Sequence, residues 1–269
     1  MKCNYRAHRL LAIRPGGIGD CILSFPAIES LRTRCDSLEV WLPRSVAPLV
    51  HFADGVRPIP DTGLDLVGIP GIDPPRNLFD NFDQIVTWYG SNREEFRQAT
   101  EHLNIEFHPA LPPQDSPVHA VDFFCHQLDT PPQDPRIKIQ AEKRDFIAIH
   151  PSSGSPRKNW PLENFQALSQ RLKNVEWCAS PEPEQTLPNA FTTDNLSELA
   201  HWLAEARLYI GNDSGITHLA AAVGTPVIAI FQTSNPGLWA PRGPHVQILQ
   251  NPTMEQVLQA TIKAEHFHK

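Results

Sequence analysis

The chain has 269 residues, a net charge of −7, 41% hydrophobic and 20% charged residues, and 27 prolines. That composition is globular and excludes a disordered chain, and an acidic balance argues against a nucleic-acid binder, which carries a basic face. The length gives room for about two ordinary domains, whose cores need neither disulfides nor a metal to hold them.

No apolar run approaches the roughly 18 residues of a membrane span, and residues 1–8 lack the apolar core and cleavage site of a secretory leader. Cys3, Cys21, Cys35, Cys125 and Cys178 are odd in number and include no CxxC pair. Their spacing fits neither zinc nor a disulfide framework, so buried thiols in a cytoplasmic protein are expected. Residues 1–44 hold seven Lys/Arg against four acids, a local +3 that reads as a solvated face or as a surface for an anionic partner.

In chain order, residues 9–14 form a short apolar run, followed by Pro15-Gly-Gly-Ile-Gly-Asp20 and a helical pattern to about Arg34. Pro26 must kink that helix or sit in its first turn. Residues 38–42 and 84–88 read as strands, separated by proline-rich ground with seven prolines from 43 to 75. A second stretch, 109–135, also holds seven prolines, with a helix expected over part of it at 118–128. The domain linker is expected just after it, near Ala141.

The second half alternates more cleanly. Strands are expected at 146–150, 175–179, 207–210 and 227–231. Helices are expected at 161–172, with Pro161 at its first position, then at 196–206, 216–223 and 254–266. Asn195-Leu-Ser-Glu198 reads as a capping box. Strands alternating with helices imply α/β architecture with parallel sheets. Two such halves imply two Rossmann-like domains facing a central cleft, with ligands beyond the carboxyl ends of the strands.

Three loops that follow strands carry the candidate chemistry. Pro15-Gly-Gly-Ile-Gly-Asp20 has Ile22 where a dinucleotide fingerprint needs its third glycine, and no acid ends the second strand at Trp41-Leu-Pro-Arg44. Asp20 is either a carboxylate at a helix start or a general base. His150-Pro-Ser-Ser-Gly-Ser-Pro-Arg-Lys-Asn-Trp-Pro161 supplies hydroxyls, a glycine and two cations before a helix, a donor set that suits phosphate. It lacks the P-loop arrangement. Gly211-Asn-Asp-Ser-Gly-Ile-Thr-His218 offers an N-cap and a helix N-terminus to a diphosphate, with His218 one turn further on.

Taken in this order, the loops resemble glycosyltransferase family 9, the ADP-heptose:lipopolysaccharide heptosyltransferases. The resemblance rests on Leu11-Ala-Ile-Arg-Pro-Gly-Gly-Ile-Gly-Asp20, on Ile149-His-Pro-Ser-Ser with Lys158-Asn-Trp-Pro161, and on Ile210-Gly-Asn-Asp-Ser-Gly-Ile-Thr-His-Leu-Ala-Ala-Ala222. Gly224-Thr-Pro226, Phe231 and Trp239-Ala-Pro241 extend it, whereas residues 43–143 align with nothing residue by residue.

The resemblance implies a GT-B fold, with an acceptor-side domain at 1–142 that carries the catalytic base and a nucleotide-sugar domain at 143–269. It implies metal-independent, cofactor-free inverting transfer of heptose from ADP-heptose to a lipopolysaccharide-core or related glycan acceptor. An anionic acceptor of that kind implies peripheral contact with the inner membrane, although residues 1–142 carry 13 basic and 19 acidic residues. Matched residue by residue, Asp20 would be the base. Ser152, Ser153 and Lys158 would hold the diphosphate. Ser214, Gly215 and His218 would complete that grip, Asp213 would hold sugar hydroxyls, and Glu182 or Glu184 would contact the ribose. The alternatives are a non-catalytic sugar-nucleotide-binding relative, a GT-B-shaped nucleotide-sugar epimerase and a Rossmann oxidoreductase.

Overall fold

The computed structural model describes residues 7–72, 77–179, 187 and 189–266. It divides into two compact units, Met1–Ser116 with Ala120–Gln133, and Pro117–His119 with Asp134–Lys269. The division drawn from sequence, after residue 142, falls inside the second unit.

The first unit runs β1 (Ala7–Ile13), α1 (Ile18–Ser30), β2 (Cys35–Leu42), β3 (Gly55–Pro58), β4 (Gln84–Thr87), α2 (Glu94–Ala99), β5 (Ile105–Phe107) and α3 (Ala120–Gln127). Its strands form one parallel sheet in the order β3-β2-β1-β4-β5. The central strand is buried on both faces: Leu10, Leu11, Ala12 and Ile13 are fully covered. This is why its sequence is a continuous apolar run with no alternation. Leu11 and Ile13 pack with Trp41, Ile59, Leu64, Phe79 and Phe96 in one cluster.

The second unit runs β6 (Ile147–His150), α4 (Leu162–Ser169), β7 (Val175–Trp177), α5 (Leu196–Glu205), β8 (Leu208–Asn212), α6 (Gly215–Ala222), β9 (Val227–Phe231), α7 (Pro236–Trp239), β10 (Val246–Gln250) and α8 (Met254–His266). Its sheet is also parallel, in the order β10-β9-β8-β6-β7. Ile147, Ile149, Ile210, Ile228 and Ile230 pack with Trp160, Phe165 and Val257 on one face. A large side chain buried this way contributes about 1.5–3 kcal/mol.

Several local expectations change. The first helix ends at Ser30, and a tighter 3-10 turn covers Leu31–Arg34. Pro26 lies inside that helix. Pro161 is the N-cap of α4, one place before its first helical residue. Asn195 caps α5 by accepting the Ser197 N–H at 2.9 Å, but the reciprocal half of the capping box is not made. Glu198 instead accepts the Thr193 hydroxyl at 2.8 Å, and Thr193 Oγ1 accepts the Asn195 N–H at 3.1 Å. The elements that patterning did not reveal are β3, β5, β10, α2 and α7.

Candidate functional site

In the first unit, the loop between β1 and α1 is organised by Arg14. This guanidinium is 1% exposed. It donates to the Pro15 carbonyl at 2.7 Å, to the Asp20 carbonyl at 3.0 Å and to Ser24 Oγ at 3.1 Å. It also lies 4.7 Å from the Phe124 ring centroid. Burial lowers the Arg14 pKa, opposed by the nearby Cys21 and Asp20. The same burial pushes the Cys21 thiol up to about 12, so it stays protonated.

Gly16 turns this loop at φ +125°, where a Cβ would come within 3.0 Å of the Asp20 Cβ. Asp20 stands in the first turn of α1, partly exposed. Its Oδ2 accepts the Gly17 N–H at 2.9 Å, which fixes the carboxylate over the helix start. The residue therefore has a structural partner and remains open to solvent, an arrangement in which a carboxylate can also accept a proton.

In the second unit, β9, β8 and β6 lie side by side, so the loops that follow them gather along one sheet edge. Asn212, the last residue of β8, is fully buried and ties two of these loops together. Its Oδ1 accepts the Trp160 N–H at 2.8 Å and its Nδ2 donates to the Pro151 carbonyl at 2.6 Å. Gly211 lets the neighbouring Tyr209 ring come close, since a Cβ there would sit 2.7 Å from a ring carbon.

That tether brings Lys158 to Asp213. Lys158 Nζ lies 2.8 Å from Asp213 Oδ2, with the lysine side chain 38% exposed and the aspartate 4%. Ser234, after β9, donates to the same oxygen at 2.5 Å. Ser214 caps α6, with its Oγ accepting the Thr217 N–H at 3.4 Å and meeting Thr217 Oγ1 at 3.1 Å. Gly215 opens the helix, and His218 lies one turn on, 6% exposed. Ser153 is turned to its own loop, its Oγ lying 2.7 Å from Asn159 Oδ1 and 2.9 Å from the Ser155 carbonyl, which share its one hydroxyl proton. Ser152 is half-buried in that loop. Glu182 and Glu184 lie outside the described residues.

Of the residues singled out from sequence, Lys158 lies in the loop after β6, and Asp213, Ser214, Gly215 and His218 lie at the end of β8 and the start of α6. Sequence reading gave no role to Arg14, Asn212, Ser234 or His150. His150 ends β6, is 4% exposed, and its Nδ1 has no hydrogen-bonding partner among the described residues. Burial lowers its pKa to about 4, which keeps the ring neutral. A cation directly after a buried apolar run was the one signal for Arg14; Ser234, in a short polar turn, had none.

Chemically, the second unit offers a cation, helix-start N–H groups and a buried carboxylate on one edge, a set that suits an anionic ligand carrying hydroxyls. Among the described residues no group of three or more His, Cys, Asp or Glu is placed to hold a metal, and no helix is long and apolar enough to cross a membrane.

Residues 125–266 match the family model of glycosyltransferase family 9 (heptosyltransferase). The chain is 24% identical over 148 residues to the lipopolysaccharide core heptosyltransferase OpsX of Haemophilus influenzae, a match covering 44% of this chain and 43% of that protein. The match thus spans less than half the length of this curated relative. In fold, the chain is similar to a glycosyl transferase family 9 structure from Veillonella parvula, at TM-score 0.75 and 18% identity over 96% of this chain and 97% of that one. It is also similar to the E. coli heptosyltransferase WaaC with ADP, at TM-score 0.68 and 15% identity over 95% of this chain and 99% of that one. Two parallel α/β units with these likenesses are a GT-B fold.

Proposed function

The chain belongs to glycosyltransferase family 9, and on that premise we propose that it is an inverting glycosyltransferase that moves a sugar from a nucleotide donor to a glycan acceptor. The donor proposed is ADP-heptose and the acceptor a lipopolysaccharide core or a related glycan. The observation that carries this reading is the Lys158–Asp213 pair beside the capped start of α6.

In the proposed reaction, an acceptor hydroxyl attacks the anomeric carbon and its proton passes to Asp20. The bond between that carbon and the phosphate oxygen breaks, and ADP leaves with the electron pair. Negative charge grows on the departing diphosphate, and Lys158 with the N–H groups of α6 offsets it. Ser152, Ser153 and His218 would complete the diphosphate site, and Asp213 would accept from sugar hydroxyls. The relatives' names support the donor and acceptor: OpsX is a lipopolysaccharide core heptosyltransferase, and WaaC is a heptosyltransferase bound to ADP. A cytoplasmic location is proposed with it, supported by Cys21, Cys35, Cys125 and Cys178, which are buried and not joined in disulfides. A peripheral approach to the inner membrane follows only if the acceptor is a membrane-bound core.

Calorimetric titration of the full chain with ADP, UDP, GDP and NAD in EDTA tests the reading. ADP binding without added metal is expected. A preference for UDP or GDP replaces the donor, and binding of NAD alone overturns the proposal.

A further inference from the structure

Asp213 is held from one side only. Both Lys158 Nζ and Ser234 Oγ meet Oδ2, at 2.8 and 2.5 Å. Among the described residues, no hydrogen bond reaches Oδ1, which is also absent from the buried polar atoms that lack a partner. Solvent therefore reaches Oδ1, although the residue as a whole is 4% exposed.

The two donors on Oδ2 differ in stiffness. Lys158 is a long side chain, 38% exposed, whose ammonium can follow an anion while swinging on its stem. Ser234 has a single rotor on a backbone set beside α7. The cap of that short helix is made by the next residue, Asn235, whose Oδ1 accepts the Gly237 N–H at 2.9 Å. The Ser234 hydroxyl is thus not used to start the helix. Its recorded hydrogen bond is the one to Asp213.

We infer that Ser234 is a positioning residue for the sugar half of the donor. It pins Oδ2 so that Oδ1 stays turned toward a hydroxyl of the nucleotide-bound sugar. This rests on the nucleotide-sugar reading above. It assigns a role to a loop, the one after β9, from which no donor contact had been expected. A charge-assisted hydrogen bond that fixes an acceptor is lost when the carboxylate is free to follow its lysine. The loss falls on the ligand that carries the sugar and spares the ligand that lacks it.

The test compares the full chain with Ser234→Ala and Ser234→Thr by calorimetric titration with ADP and with ADP-heptose. Ser234→Ala is expected to bind ADP-heptose about tenfold more weakly while ADP affinity changes by less than about twofold. Ser234→Thr, which keeps the hydroxyl, is expected to recover most of the loss. Equal weakening of both ligands, or a fall in Tm without the split, shows a structural role and overturns the inference. Unchanged ADP-heptose binding in Ser234→Ala, with normal binding by the unmodified chain, also overturns it and leaves the nucleotide-sugar reading intact. If the unmodified chain binds neither ligand, that reading fails and the inference fails with it.

Discussion

Asn212 accepts the backbone N–H of Trp160 at 2.8 Å through a side chain that is fully buried. A single amide thus sets the position of the loop from Pro151 to Trp160, because its other end donates to the Pro151 carbonyl at 2.6 Å. Substitution Asn212→Leu would leave that N–H and that carbonyl without partners. Each unsatisfied group costs about 1–3 kcal/mol. The expected result is a loss of roughly 2–4 kcal/mol in urea unfolding, together with weaker ADP binding because the Lys158 loop loses its tether. A variant with normal stability would show that the loop is held some other way.

One substitution separates the structural role of Asp20 from its proposed role as base. In Asp20→Asn the side-chain carbonyl can still accept the Gly17 N–H, so the start of α1 survives. The amide cannot take a proton. Turnover should therefore disappear while ADP affinity and Tm stay near their starting values. Retained turnover would reduce Asp20 to a helix-start residue.

Lys158→Ala removes the cation beside Asp213. ADP binding should weaken by about 1.5–3 kcal/mol, the scale of a hydrogen bond to a charged group. Affinity equal to that of the unmodified chain would place the diphosphate elsewhere.

His150 makes stability depend on pH. Burial holds its folded-state pKa at about 4, below the ordinary 6.5. Between those values the unfolded chain binds a proton that the folded chain refuses, so stability rises with pH through the window. The contribution is complete above about pH 6.5, and it is lost as the pH falls toward 4. A shift of this size corresponds to roughly 3 kcal/mol. Urea unfolding at about pH 7.5 and pH 4.5 should show a larger drop for the unmodified chain than for His150→Gln. Equal drops would assign the pH dependence to other groups.

Apart from β7, a half-buried strand at a sheet edge, the strands most visible in the sequence are those the sheets bury. β1, β6, β8 and β9 are covered throughout most of their length, and each reads as a short apolar run. The strands that patterning did not reveal are at sheet edges: β3, β5 and β10. Val246-Gln-Ile-Leu-Gln250 is half exposed and mixed in polarity, and Gly55-Val-Arg-Pro58 ends in a proline. An edge strand has one neighbour, so its side chains need not be apolar and its signal fades. The short α2 and α7 are similarly too brief for a periodic pattern to emerge.

The sequence by itself determined the alternation of strand and helix, the three polar loops after strands, and the residue types those loops carry: an aspartate at a helix start in the first unit, and a lysine, an aspartate and a capping serine in the second. Local chemistry was enough there, because glycine turns, caps and apolar runs are written in neighbouring residues. Only the tertiary structure decided how those residues are held. Arg14 is buried by Phe124, more than a hundred residues away, Asn212 reaches back to Trp160, and Ser234 reaches back to Asp213. Phe124 comes from α3, while the other partners lie beyond the ends of different strands. They meet because parallel pairing sets the strand ends side by side, and that register is a property of the folded sheet, not of any one segment.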